Sequence, residues 1–153
     1  MNYPLPDLAG RTEIERLVNA FYDRVRSDEM LGFIFDEVAA VDWSKHLPKM
    51  YDFWETVLFR SGGYTGNPLA AHAKLVPLTG MGRPQFDRWL ELFRATVDGL
   101  FAGENAEHIK NCAADMANVI HLKINGIPDP RTDPANLTPE QRARYAAYRA
   151  GTP

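Results

Sequence analysis

The chain has 153 residues, a net charge of −3 and a single cysteine, with 45% hydrophobic and 24% charged residues. The length suits one domain with a real core. The acidic balance argues against nucleic acid, whose phosphates demand clustered Lys and Arg, and Cys112 alone rules out an intramolecular disulfide and starves any Cys-based zinc or iron–sulfur site of ligands.

Residues 1–10 lack the apolar core and basic flank of a signal peptide. No run approaches the roughly 20 apolar residues of a membrane span. The expectation is a cytoplasmic protein with neither membrane nor nucleic acid among its partners.

Helical periodicity dominates the chain from residue 12 onward. Thr12 and Glu15 have the spacing of a capping box, and Ile14, Leu17, Val18, Phe21, Tyr22 and Val25 continue at helical intervals to about Ser27. A short helical segment is expected over residues 30–35. Asp42 reads as the N-cap of a helix whose apolar stripe is Trp43, Leu47, Met50, Trp54, Val57 and Leu58. Ser61, Gly62 and Gly63 end it near Arg60. Asn67 and Pro68 have the pattern of an N-cap and first-turn proline, opening a short helix through Val76 that Pro77, Gly80 and Gly82 close.

Pro84 opens the next helix, with Phe86, Trp89, Leu90, Phe93, Val97 and Leu100 on one side and Gly103 at its end. A last core helix spans residues 105–124, carrying Ile109, Cys112, Ala113, Met116, Ile120 and Ile124. Residues 126–137, rich in Pro and Asp, read as an extended linker. Thr138, Pro139 and Gln141 signal one more short helix to about Arg149. No internal repeat and no strand pattern appears. The reading is all-α, with about six helices: one domain over residues 1–125, then a C-terminal extension of linker plus short helix over 126–153.

Four histidines, His46, His72, His108 and His121, are candidate metal ligands. No two lie at the i, i+3 or i, i+4 spacing of a helical metal site, and Glu-x-x-His and HExxH are absent. There is no Gly-rich phosphate loop after a strand and no sign of a triad, and one cysteine without a positioned base is a poor nucleophile. What survives is a site with one histidine ligand, the remaining coordination coming from a cofactor, and haem fits that description. His72 shares a helix face with Leu69, Leu75 and Val76. Taken alone it reads as a buried structural histidine.

His46 lies on the apolar face that also carries Met50 and Trp54, and by itself reads as a boundary histidine near a helix start. Lys49, at the edge of that face, is either solvated or placed to meet an acidic group such as a haem propionate. A buried Tyr22 wants a partner for its hydroxyl, and Trp89 is a donor only, through its indole N–H. Each alone reads as core. Together they give one candidate iron ligand plus Tyr, His and Trp donors on three other helices.

The ordered set is Phe21-Tyr22, Trp43-x-x-His46-Leu47 with Met50 and Phe53-Trp54, Tyr64-x-Gly66-Asn67-Pro68 leading to His72, and Phe86-x-x-Trp89-Leu90-x-x-Phe93. It resembles the group III truncated haemoglobins over about residues 12–124. The resemblance implies a shortened globin fold, a 2-over-2 helical sandwich around haem b (iron protoporphyrin IX). It makes His72 the proximal iron ligand, and Tyr22, His46 and Trp89 the polar distal residues where catalysis would occur. Phe21, Phe53, Trp54 and Phe93 are then apolar walls, Met50 faces the ligand, and Lys49 and Leu75 complete the cofactor-binding set.

The implied partners are O2, NO and CO, or peroxide, with electrons from a reductase encoded elsewhere. The implied use is ligand or redox chemistry, as an NO dioxygenase or by peroxidase-like detoxification, rather than O2 transport. Two other classes stay open on sequence: a cofactor-free helical binding module, and a haem-based sensor or haem carrier.

Overall fold

The computed structural model describes residues 4–60, 64, 66, 81–126, 138–140 and 143. Among them the amphipathic spacing becomes five α-helices and no strand: α1 (Arg11–Ser27), α2 (Glu29–Phe33), α3 (Trp43–Phe59), α4 (Arg83–Leu100) and α5 (Glu104–Ile124). The chain widens after α2 into a single π-helical turn, Ile34–Val38. The all-α expectation is met. The expected helix over 67–76, the linker over 127–137 and most of the helix over 138–149 lie outside the described residues.

Helix starts follow capping chemistry, and not always the capping read from sequence. Asp42 caps α3 as expected, its carboxylate accepting from the Ser44 N–H at 3.1 Å. Thr12 does not cap α1. The helix begins at Arg11 with Gly10 as N-cap and no side-chain cap, and the Glu13 carboxylate accepts from the Ala9 N–H instead, at 3.2 Å. The local pattern omits a long-range contact: Arg11, already inside the helix, reaches Asp52 and Glu55 of α3, at 2.7 Å each. At α2 the cap is Asp28, which accepts from the Leu31 N–H at 3.0 Å and so starts the helix before residue 30. Gln85 stands in for a cap on α4, its side-chain oxygen taking the Gly82 N–H at 2.8 Å.

The four long helices pack in a cycle: α1 meets α3 and α4, and α5 meets α4 and α3. Ile14, Leu17, Val18, Phe21, Tyr22 and Val25 of α1 face Phe93 and Val97 of α4 and Ile109 and Ala113 of α5 in one core. Burying such side chains contributes about 1.5–3 kcal/mol each. Small residues at Ala106, Ala113 and Ala117, all buried on α5, let it approach closely.

Residues ahead of α1 belong to this core too. Leu8 is fully buried. The Asp7 carboxylate accepts from the Asn105 and Ala106 N–H groups, at 3.0 and 2.8 Å, and so caps α5 from the far end of the sequence. Gly103 makes that approach possible: its φ is +139°, and a Cβ there would fall 2.5 Å from Asp7 Cγ.

Candidate functional site

Three elements aim aromatic side chains at one another because their apolar stripes recur every three or four residues. Phe21 and Tyr22 come from α1, Trp43, His46, Phe53 and Trp54 from α3, and Trp89 and Phe93 from α4. Phe21 is the hinge of the network. It touches Tyr22 on one side and, edge-on, Trp89 and Phe93 on the other, at ring separations of 5.4 and 5.2 Å. Trp89 stacks on Phe93 at 5.3 Å and 12°, and Trp54 lies 4.8 Å from Phe93. Phe53 extends the wall from Trp54 to Tyr64. Edge-to-face and offset pairs of this kind add about 0.5–1.5 kcal/mol beyond area burial.

The polar half of the site forms around Tyr22. Its ring is 5.2 Å from His46, edge-on, and also meets Trp43 and Phe35. Tyr22 is 5% exposed. Burial alone drives its phenol well above the ordinary range, so the hydroxyl stays protonated and a donor. His46 Nε2 is buried as well. Among the described residues neither the Tyr22 O–H nor the Trp89 indole N–H donates to a protein acceptor.

Seven of the expected site residues, Phe21, Tyr22, His46, Phe53, Trp54, Trp89 and Phe93, thus join one network. Met50 is half-buried and packed against the same core. Lys49 is exposed and takes no part in the ring network. His72 and Leu75 lie outside the described residues. Two ring residues were given no site role from sequence: Trp43, which stood in the apolar stripe and in the motif set, and Phe35. Trp43 was findable, standing three residues before His46 on one helix face. Phe35 was not, since the π-helical turn that swings it under Tyr22 has no sequence signature of its own.

Comparison with known proteins decides what this architecture is. Residues 6–122 match the family of bacterial-like globins. The group 3 truncated haemoglobin ctb of Campylobacter jejuni is 33% identical over 116 residues, covering 72% of this chain and 84% of that one. The chain is a group III truncated haemoglobin. The crystal structure of a group III truncated haemoglobin from Campylobacter jejuni superposes with a TM-score of 0.68 at 28% identity, over 81% of this chain and 95% of that one. Chlamydomonas reinhardtii THB1 gives 0.60, also at 28% identity, over 73% and 89%.

As a globin the chain is a haem-binding protein, and its described residues fit that group. The apolar side chains of α3 other than Trp54 (Trp43, Leu47, Met50, Phe53, Val57, Leu58) are only half-buried, leaving one helix side open to a flat apolar partner. Beside that helix sit two uncommitted hydrogen-bond donors in aromatic surroundings.

Proposed function

We propose that this truncated haemoglobin holds haem b through His72 and uses Tyr22, His46 and Trp89 to handle O2, NO, CO or peroxide on the opposite side. It is suited to NO or peroxide detoxification in the cytoplasm, with a separate reductase, rather than to O2 transport. When bound, haem supplies an iron centre that takes a small ligand and exchanges electrons.

The chain's own residues supply the rest. Phe21, Phe53, Trp54 and Phe93 line the site with rings that exclude water, which strengthens every polar contact inside. Tyr22 and Trp89 present O–H and N–H donors to the polar end of a small ligand. His46, edge-on to Tyr22, is placed to hold or pass a proton if peroxide is the substrate. Met50 and Leu75 would supply apolar packing for the haem, and the exposed Lys49 would meet a propionate.

The observation that carries this reading is that Tyr22, a buried residue 5.2 Å ring-to-ring from His46, donates its hydroxyl to no protein acceptor among the described residues. A hydroxyl donor held among aromatic rings, with no protein acceptor among the described residues, supports a partner that is not protein.

His72 is supported by what the other histidines do. His108 is exposed beside Cys112, and His121 contacts Asn125 and Phe86; among the described residues neither touches the ring network. His46 is already taken up on the Tyr22 side.

The test has two parts. The purified protein should show a haem Soret band that His72→Ala abolishes or shifts, while Lys49→Ala only weakens retention. A fully loaded His72→Ala protein with an unaltered band would refute the proximal assignment. In stopped-flow measurements, Tyr22→Phe and Trp89→Phe should each speed O2 release about tenfold, since a hydrogen bond to a charged acceptor is worth somewhat more than 1 kcal/mol and 1.4 kcal/mol is a factor of ten. Unchanged rates in both would dismiss the distal assignment. NO consumption in air with a reductant, set beside peroxide-dependent dye oxidation, separates the two chemistries.

A further inference from the structure

We propose that Trp43 is a positioning residue: latched from the solvent side by Asp36 and Arg26, it fixes the orientation in which His46 stands beside Tyr22. The proposal rests on the distal reading of His46 given above and adds to it a mechanical cause.

Trp43 is held in a way a space-filling tryptophan is not. Its indole N–H donates to Asp36 Oδ1 at 3.0 Å. The Arg26 guanidinium lies over its ring, 4.8 Å from the centroid, and the same arginine reaches Asp36 Oδ1 at 3.7 Å. Arg26 and Asp36 are 50% and 38% exposed, so the latch is a surface device. Inward, the indole stacks on Phe35 at 5.8 Å and 27° and meets Tyr22 at 5.3 Å. It also meets His46 edge-on, at 5.5 Å and 85°.

Three segments are thereby tied at one side chain: α1 through Arg26, the π-helical turn through Phe35 and Asp36, and α3 through Trp43 itself. His46 is ringed by Tyr22, Phe35 and Trp43. Those rings bound the imidazole on its Tyr22 side, and Trp43 is the one whose placement is set from outside the pocket. Asp36 and Arg26 themselves have no ring contact with Tyr22 or His46, so the latch can be altered without touching the site.

The experiment uses the haem-loaded protein in its ferrous carbon monoxide form and reads the infrared C–O stretching band, which reports the polar groups around the ligand. Asp36→Ala should split or shift that band, as His46 gains a second orientation, and change the O2 release rate about threefold, the effect expected of weak exposed contacts. The Trp43 indole N–H resonance should move upfield in the same variant, a readout independent of ligand chemistry. Asp36→Asn, which keeps an acceptor oxygen, should restore the parent band, and Arg26→Gln should give a smaller change of the same kind. With His46→Leu already present, Asp36→Ala should do nothing further.

The latch is refuted if Asp36→Ala leaves the band unmoved while His46→Leu moves it, or if Asp36→Ala acts equally in the His46→Leu background. Should His46→Leu itself leave the band in place, the distal reading fails and the latch falls with it.

Discussion

The ring and the hydroxyl of Tyr22 meet different surroundings. The ring contacts Phe21, Phe35, Trp43 and His46, while the hydroxyl has no protein acceptor among the described residues. Burial raises the phenol pKa, and the direction of that shift sets the linkage to stability. The folded state holds the Tyr22 proton more tightly than the unfolded chain. The contribution is complete below the ordinary tyrosine pKa and is lost as pH rises through the folded value. Unfolding free energy should therefore fall above about pH 10, and Tyr22→Phe, which has no proton to lose, should flatten that decline. Urea unfolding of both proteins between pH 9 and 11 measures it; equal slopes would show that the phenol is not buried in solution. Spectrophotometric titration at the phenolate band should find Tyr22 among the last of the six tyrosines to ionise. At this scale the stripes alone read Tyr22, His46 and Trp89 as core, and it was the resemblance that grouped them, as the ring network does. The sequence was silent on the Asp36–Trp43 bond, which joins residues seven apart across two elements.

At the scale of elements, periodicity fixed four long helices and their faces, while their ends depended on contacts that no local pattern contains. Thr12 and Glu15 have the right spacing to cap α1, yet the helix starts ahead of them with Arg11 tied to α3. Pro84 lies one residue inside α4 rather than opening it. The clearest case is α5, whose first N–H groups are satisfied by Asp7 across nearly a hundred residues of sequence. Nothing about residues 4–10 read alone suggests a helix cap. Desolvation works to raise the Asp7 pKa, but the backbone donors of Asn105, Leu8 and Ala106 together outweigh it and hold the carboxyl below its usual value. Its stabilising effect is thus present above the ordinary aspartate pKa near 4 and is lost as pH falls through the lower folded value. Asp7→Ala should cost about 1 kcal/mol at neutral pH, the usual worth of a helix cap. The difference from the parent should shrink in acid, as the pH falls past the ordinary aspartate value and through the lower folded one. A constant difference across that range would mean that the carboxylate charge is irrelevant and that the loss is one of packing around Leu8.

At the scale of the whole molecule, burial among the described residues stops just before the Pro- and Asp-rich run over 126–137. Among the described residues, every member of the buried cluster falls between Leu8 and Ala113, and the half-buried side chains against it end at Met116. Leu122 is the last buried apolar residue among those described, and the globin match ends at the same place. A boundary near residue 125 is therefore proposed on where burial stops among the described residues. If the extension after Gly126 adds nothing to the core, a chain ending there should fold with the same helix content and take up haem to the same stoichiometry. Its thermal midpoint should lie within about 3 °C of the parent, the shift that 1 kcal/mol produces in a domain this size. Comparison must be made at equal haem saturation, because a ligand bound only by the folded state raises the apparent midpoint by mass action. Measuring apo and loaded forms of both chains separates the two effects. An equal midpoint loss in both forms would mean that the extension packs on the globin core. A loss confined to the loaded form would place it instead over the haem edge, beside the half-open side of α3.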